Sequence, residues 1–179
     1  MEEPQWVRRD IAKNDRTRPD TLRKLAKSEE ATIRWNVAQN PNTPADVISE
    51  ILREDNDVSA ICYALNHPSV TVEDLVAHAD SWNCYIRQTV AEHEKTPPEV
   101  LRQLANDSES TVLESVAANP NTPQDVLLTL ADAGLYGITL NLLENPSCPI
   151  EVLQKFSDDK YVDEVRQAAK DALSQRQQQ

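Results

Sequence analysis

The phrase Asn40-Pro41-Asn42-Thr43-Pro44 returns as Asn119-Pro120-Asn121-Thr122-Pro123. A recurring phrase constrains a fold more than any average property, because it makes the chain a series of copies of one small unit. With the first Asn as anchor, equivalent positions fall at Asn14, Asn40, Asn66, His93, Asn119 and Asn145, spaced by 26, 26, 27, 26 and 26 residues. Apolar residues four apart precede the anchors, as in Ile33/Val37, Ile86/Val90 and Val112/Val116, which is the spacing of one helical face. A second amphipathic pattern follows, with Val47, Ile48, Ile51 and Leu52 after Asn40 and Val126, Leu127 and Leu130 after Asn119. Each unit therefore reads as two short helices.

Neither helix of such a pair can bury its apolar face alone, so neighbouring units must share a core. The expected architecture is an all-α, right-handed α-solenoid (an α-α superhelix) of about six two-helix repeats plus a C-terminal capping helix. A single helical-repeat domain over 1–173 divides into repeats 6–30, 31–56, 57–80, 81–109, 110–132 and 133–159. The capping helix is expected over 160–173, with Val162, Val165, Ala168, Ala169 and Leu173 as its apolar positions, and 174–179 as a frayed polar tail.

Only two glycines, Gly134 and Gly137, occur against 11 prolines. Asn is the usual substitute where a helix ends in left-handed φ, so the anchor is expected in that conformation. Thr43 and Thr122 are expected as N-caps with Pro44 and Pro123 at the first helical position. Thr71-Val72-Glu73-Asp74 and Cys148-Pro149-Ile150-Glu151 begin helices as variants. Around Gly134-Leu135-Tyr136-Gly137 the sixth repeat is looser, and a local kink is expected.

The phrase Val/Ile-Arg-x-x-Val-Ala-x-Asn-Pro-Asn-Thr-Pro-x-Asp-Val-Leu-x-x-Leu-Ala resembles the leucine-rich repeat variant (LRV) family, a relative in outline of HEAT-type helical repeats. The resemblance implies two layers of short helices in a right-handed superhelix. It leaves open whether the first helix of each pair is α or 3₁₀. A member of that family is associated with a cysteine-rich, N-terminal iron–sulfur segment. Here no cysteine precedes Cys62, so no cofactor is carried over.

Cys62, Cys84 and Cys148 are odd in number and far apart, giving neither a disulfide framework nor a metal-ligand spacing. His67, His78 and His93 form no HExxH, and no nucleophile motif is present, so no catalytic or metal site and no enzyme activity are expected. His67 and His93 fall at the inter-helix turn, where they replace Asn or Pro. Arg8, Arg34 and Arg87 share one repeat position, with Arg166 similar. An Arg–Asp ladder involving Asp55, Asp57, Asp80 and Asp107 is expected there, with anion binding as the alternative if Arg34 lacks a carboxylate.

The formal net charge is −12. Residues 1–34 hold nine Lys/Arg against seven Asp/Glu, and no Lys or Arg lies between Arg102 and Lys155. Such a surface repels phosphate backbones, so no nucleic-acid partner is expected. It reads first as a solubilising surface and second as a docking face for a basic partner. No basic segment followed by an apolar run opens the sequence, and no segment is long and apolar enough for a membrane. A cytoplasmic address follows by default. Trp35, Trp82 and Tyr85 are the candidate partner-binding residues, since exposed aromatics on a solenoid commonly anchor interfaces. The functional expectation is a non-enzymatic scaffold or adaptor for a protein or peptide partner, as monomer or weak homo-oligomer. A nucleic-acid-binding HEAT-like protein and a self-associating structural subunit are the alternatives.

Overall fold

The computed structural model describes residues 3–176. Among them are thirteen α-helices and no strand. The pairs are α1 (Gln5–Lys13) and α2 (Pro19–Leu25), α3 (Ala31–Gln39) and α4 (Ala45–Glu54), and α5 (Val58–Leu65) and α6 (Val72–His78). They continue with α7 (Cys84–Glu92) and α8 (Pro98–Leu104), α9 (Ser110–Ala118) and α10 (Gln124–Leu130), and α11 (Tyr136–Glu144) and α12 (Ile150–Phe156), before the single α13 (Asp163–Arg176). One pair falls in each expected repeat, and the first helices are α rather than 3₁₀.

The chain divides into two compact units, Met1–Val90 and Ala91–Gln179. In the first unit α1 packs on α3 and α3 on α5, while α2 and α4 lie against the first helix of the following pair. In the second, α9 packs on α11 and α11 on α13, with α8 and α10 against α9. Stacked first helices flanked by second helices thus build both cores.

The side chains at the junctions are those the spacing selected. Ile33 and Val37 of α3 and Val112 and Val116 of α9 are fully buried, as are Ile48 of α4 and Leu127 of α10 or nearly so. Each branched side chain removed from water contributes roughly 1.5–3 kcal/mol. Alanines at the ends of first helices, Ala12, Ala38, Ala91 and Ala117, are also fully buried.

The C-terminal helix differs from expectation. It starts at Asp163 and runs to Arg176, so Ser174, Gln175 and Arg176 are helical rather than frayed, and 177–179 lie outside the described residues. Val162 precedes the helix and is exposed, while Val165 and Ala169 carry its buried face. Arg176 has a structural role: its guanidinium donates to Asn145 O at 2.9 Å, Pro146 O at 3.0 Å and also Cys148 O. These carbonyls belong to the sixth turn. Gly134 holds the sole positive φ among the described residues, +69°; it shapes the turn into α11, and Gly137 lies within that helix.

Truncating a core position shared by two helices should be costly. Leu127→Ala and Ile48→Ala are each expected to lower the unfolding free energy by about 2–5 kcal/mol, read from urea unfolding followed by circular dichroism.

Candidate functional site

The repeated Asn is not in left-handed φ. Asn14, Asn40, Asn119 and Asn145 all have φ between −74° and −68° with extended ψ. Their conservation from unit to unit within this chain comes instead from the carboxamide. Asn40 Nδ2 donates to Ala12 O at 2.7 Å and Asn14 O at 3.0 Å, both in the preceding repeat. Asn119 donates likewise to Ala91 O (2.7 Å) and His93 O (3.1 Å), and Asn145 to Ala117 O (2.7 Å) and Asn119 O (2.9 Å). On the other side Oδ1 accepts the N–H two residues on, from Asn42, Asn121 and Ser147. One buried side chain therefore closes its own turn and satisfies carbonyls at the end of the neighbouring helix, which helices otherwise leave without partners.

The third anchor is His67, not Asn66. Asn66 is exposed and its side chain turns back to Cys62 O, whereas His67 is 5% exposed. Its Nε2 lies 3.2 Å from Asn40 O, and its Nδ1 accepts from the Ser69 N–H at 3.2 Å and lies 2.7 Å from the Ser69 hydroxyl. The ring reproduces the carboxamide, with Nε2–H as donor and Nδ1 as acceptor. His93 does the same locally, its Nδ1 accepting the Lys95 N–H at 3.0 Å. His93 stands at the anchor position as its spacing indicates, whereas His67 takes the place that the spacing assigns to Asn66.

The threonines also do other work than capping. Thr17, Thr43 and Thr122 donate from Oγ1 to Ile11 O, Val37 O and Val116 O at 2.5–2.6 Å, back across the turn. The N-caps are Pro44, Pro97, Pro123 and Pro149, with extended ψ and no side-chain cap bond. Thr71 alone of these threonines is an N-cap, exchanging bonds with Asp74 in a capping box. It stands where four of the other repeats have the capping Pro and the first has Arg18.

Of the acids expected at the arginine position, Asp55 pairs with Arg34, while Asp57 takes the Trp35 indole instead. Arg34 contacts both oxygens of Asp55 at 2.6 and 2.9 Å and donates to Ser28 O and Glu29 O, and Arg8 pairs with Glu30 at 3.0 Å. Burial pushes Asp55 up, but the bonds from Arg34 and the Asp57 N–H outweigh it and hold the carboxyl below its ordinary value. Arg34 thus has no free face for an anion. Arg87 donates to Ser81 O, and Arg166 meets Asp159 and Asp163.

The aromatic candidates separate. Trp35 is half-buried, and its Nε1–H donates to Asp57 Oδ1 at 2.5 Å, the carboxylate that also caps α5. Trp82 and Tyr85 are 82% and 65% exposed at the entry to α7. The spacing of Trp35 off the Ile33/Val37 stripe did not reveal its partner, because Asp57 belongs to the next helix pair. Cys62, Cys84 and Cys148 form no disulfide, and burial pushes the Cys148 thiol up to about 11 against the pull of Arg176. Among the described residues no group of three or more His, Cys, Asp or Glu could hold a metal ion, and no helix is long and apolar enough to cross a membrane.

The leucine rich repeat variant family model matches residues 86–109, which span α7, α8 and the turn between them. A solved structure described as a leucine-rich repeat variant with a novel repetitive protein structural motif superposes with a TM-score of 0.71 at 23% identity. The similarity covers 96% of this chain and 67% of that one. The fold is that of a leucine-rich repeat variant. No curated protein matches the sequence. In this LRV array the recurrent phrase is thus a set of structural contacts.

Two expectations follow. Asn119→Gly should destabilise as Asn119→Val does, by about 1–3 kcal/mol for each buried group left unpaired; a glycine variant with wild-type urea stability would refute the carboxamide role. Burial lowers the His67 and His93 pKa values, so the unfolded chain takes up protons first. Their contribution to stability is complete above the ordinary histidine value of about 6.5 and is lost as pH falls through the folded values. His67→Asn and His93→Asn should each flatten the stability profile between about pH 5 and 6.5, above the carboxylate range, in urea melts taken across that window.

Proposed function

We propose that this LRV array is a non-enzymatic scaffold that binds a protein partner, anchored on Trp82 and Tyr85. The observation that carries the reading is the exposure of these two rings, three residues apart at the start of α7. A Trp and a Tyr left in water are large apolar surfaces that a partner can desolvate, and such residues dominate binding energy at interfaces. Trp35 is not part of this anchor, since its indole N–H is already engaged and its ring is half-covered. The net charge of −12 favours a basic partner over a nucleic acid. A cytoplasmic location accords with this reading.

Affinity capture with cross-linking tests it, comparing wild type, the double variant Trp82→Ala/Tyr85→Ala and Trp35→Phe. Hot-spot truncations of 2 kcal/mol or more correspond to a loss of about 30-fold in affinity. A specific partner should therefore be lost from the double variant and kept by Trp35→Phe, with thermal melts unchanged for the exposed pair. Identical capture by all three would reject the anchor, and recovery of nucleic acid instead of protein would reject the partner class.

A further inference from the structure

The arginine position of the first helices sits beside the turns that enter and leave each repeat. In the second repeat Arg34 crosses the space between those turns, bonding Ser28 O and Glu29 O on one side and Asp55 on the other, and a cleft of about 290 Å³ remains beside it, lined also by Glu50 and Glu54. The third and fifth repeats carry Ile61 and Leu113 at this position. The sixth carries Thr139, a short side chain whose hydroxyl turns back to Leu135 O at 3.1 Å. Lys160 lies as far beyond Thr139 in sequence as Asp55 lies beyond Arg34. Both the cation and its carboxylate are therefore replaced, and Lys155 stands where the second repeat has Glu50.

A cleft of about 370 Å³ occupies this place, bounded by Tyr136, Thr139, Phe156, Lys160, Tyr161 and Val165 among others. Its size suits a small organic molecule. Phe156 and Val165 are buried, and the Phe156 and Tyr161 rings meet edge to face at 4.9 Å between centroids. The polar groups around it are mostly engaged: Lys155 bonds Ala131 O and Asp132 at 2.9 and 2.6 Å, and the Tyr136 hydroxyl donates to Glu164 at 2.6 Å. The Lys160 ammonium is largely exposed and only 3.9 Å from its nearest carboxylate, Asp158.

We infer that this cleft binds a small amphipathic anion, an aromatic or branched-alkyl carboxylate. Its apolar body rests against Phe156, Tyr161 and Val165, and its carboxylate meets Lys160. The site is independent of the Trp82/Tyr85 anchor, and either can fail without the other.

Titration of the isotopically labelled full chain with 2-naphthoate, followed by amide chemical shifts, tests the assignment. Saturable shifts confined to 131–139 and 155–165 are expected. Lys160→Glu, at an exposed position, should keep the wild-type melt and weaken 2-naphthoate on the order of tenfold, the size of a lost charge-assisted bond. The assignment is overturned by shifts scattered along the chain, by no saturation at millimolar 2-naphthoate, by unchanged affinity in Lys160→Glu, or by equal binding of 2-naphthylmethylammonium.

Discussion

Each unit depends on one recurrent buried polar contact, a side chain that reaches from a turn into the end of the preceding first helix, made by Asn40 and His67 in the first unit and by Asn119 and Asn145 in the second. A short helix of about nine residues leaves several terminal carbonyls without partners, and at a packed junction water cannot supply them. Asn40, Asn119 and Asn145 supply two donors each to those carbonyls while accepting one bond from their own turn. Apolar contacts provide most of the stabilisation, but they are non-directional. The carboxamide fixes how far one repeat can slide or rotate over the next, because its partners are specific atoms of the neighbour's backbone.

This explains the end of the second unit. After the sixth turn the carbonyls of Asn145, Pro146 and Cys148 take side-chain donors from elsewhere, Asn145 O in addition to the Cys148 N–H it already accepts at 3.0 Å. Arg176 of α13 provides them through one planar guanidinium. A long side chain from a single helix thereby makes the kind of contact that the turn Asn makes to the preceding repeat elsewhere. The polar composition of α13 beyond Val165 and Ala169 suits a helix that packs on one side only.

The period, the paired helices and the buried columns were legible in the sequence because hydrophobic spacing reports directly on which face is buried. Ile33, Val37, Val112 and Val116 needed no further information. The roles of Asn and Thr were misread because both left-handed caps and N-caps are local devices, while the contacts made here join atoms 26 and 28 residues apart. A single repeat contains no sign of them. The slip from His67 to Asn66 has the same origin: Asn66 matches by residue type, but only the acceptor and donor geometry of the ring identifies the equivalent position. Exposure of Trp82 and engagement of Trp35 likewise depend on a neighbouring helix pair.

Substitution within the columns follows from what each position must do. The turn position demands an acceptor and a donor on one rigid planar group, and both Asn and a neutral imidazole meet that demand, though only the imidazole makes the junction sensitive to acid. The arginine position is less constrained, since a slot between turns can be filled by a paired guanidinium or by an apolar side chain. At Thr139 neither is present, and the cleft beside the turns is lined by Phe156, Tyr161 and Val165 in place of the acids that surround Arg34. Repetition thus concentrates constraint in a few buried polar atoms and leaves the slots and the outer rings free to differ from one repeat to the next.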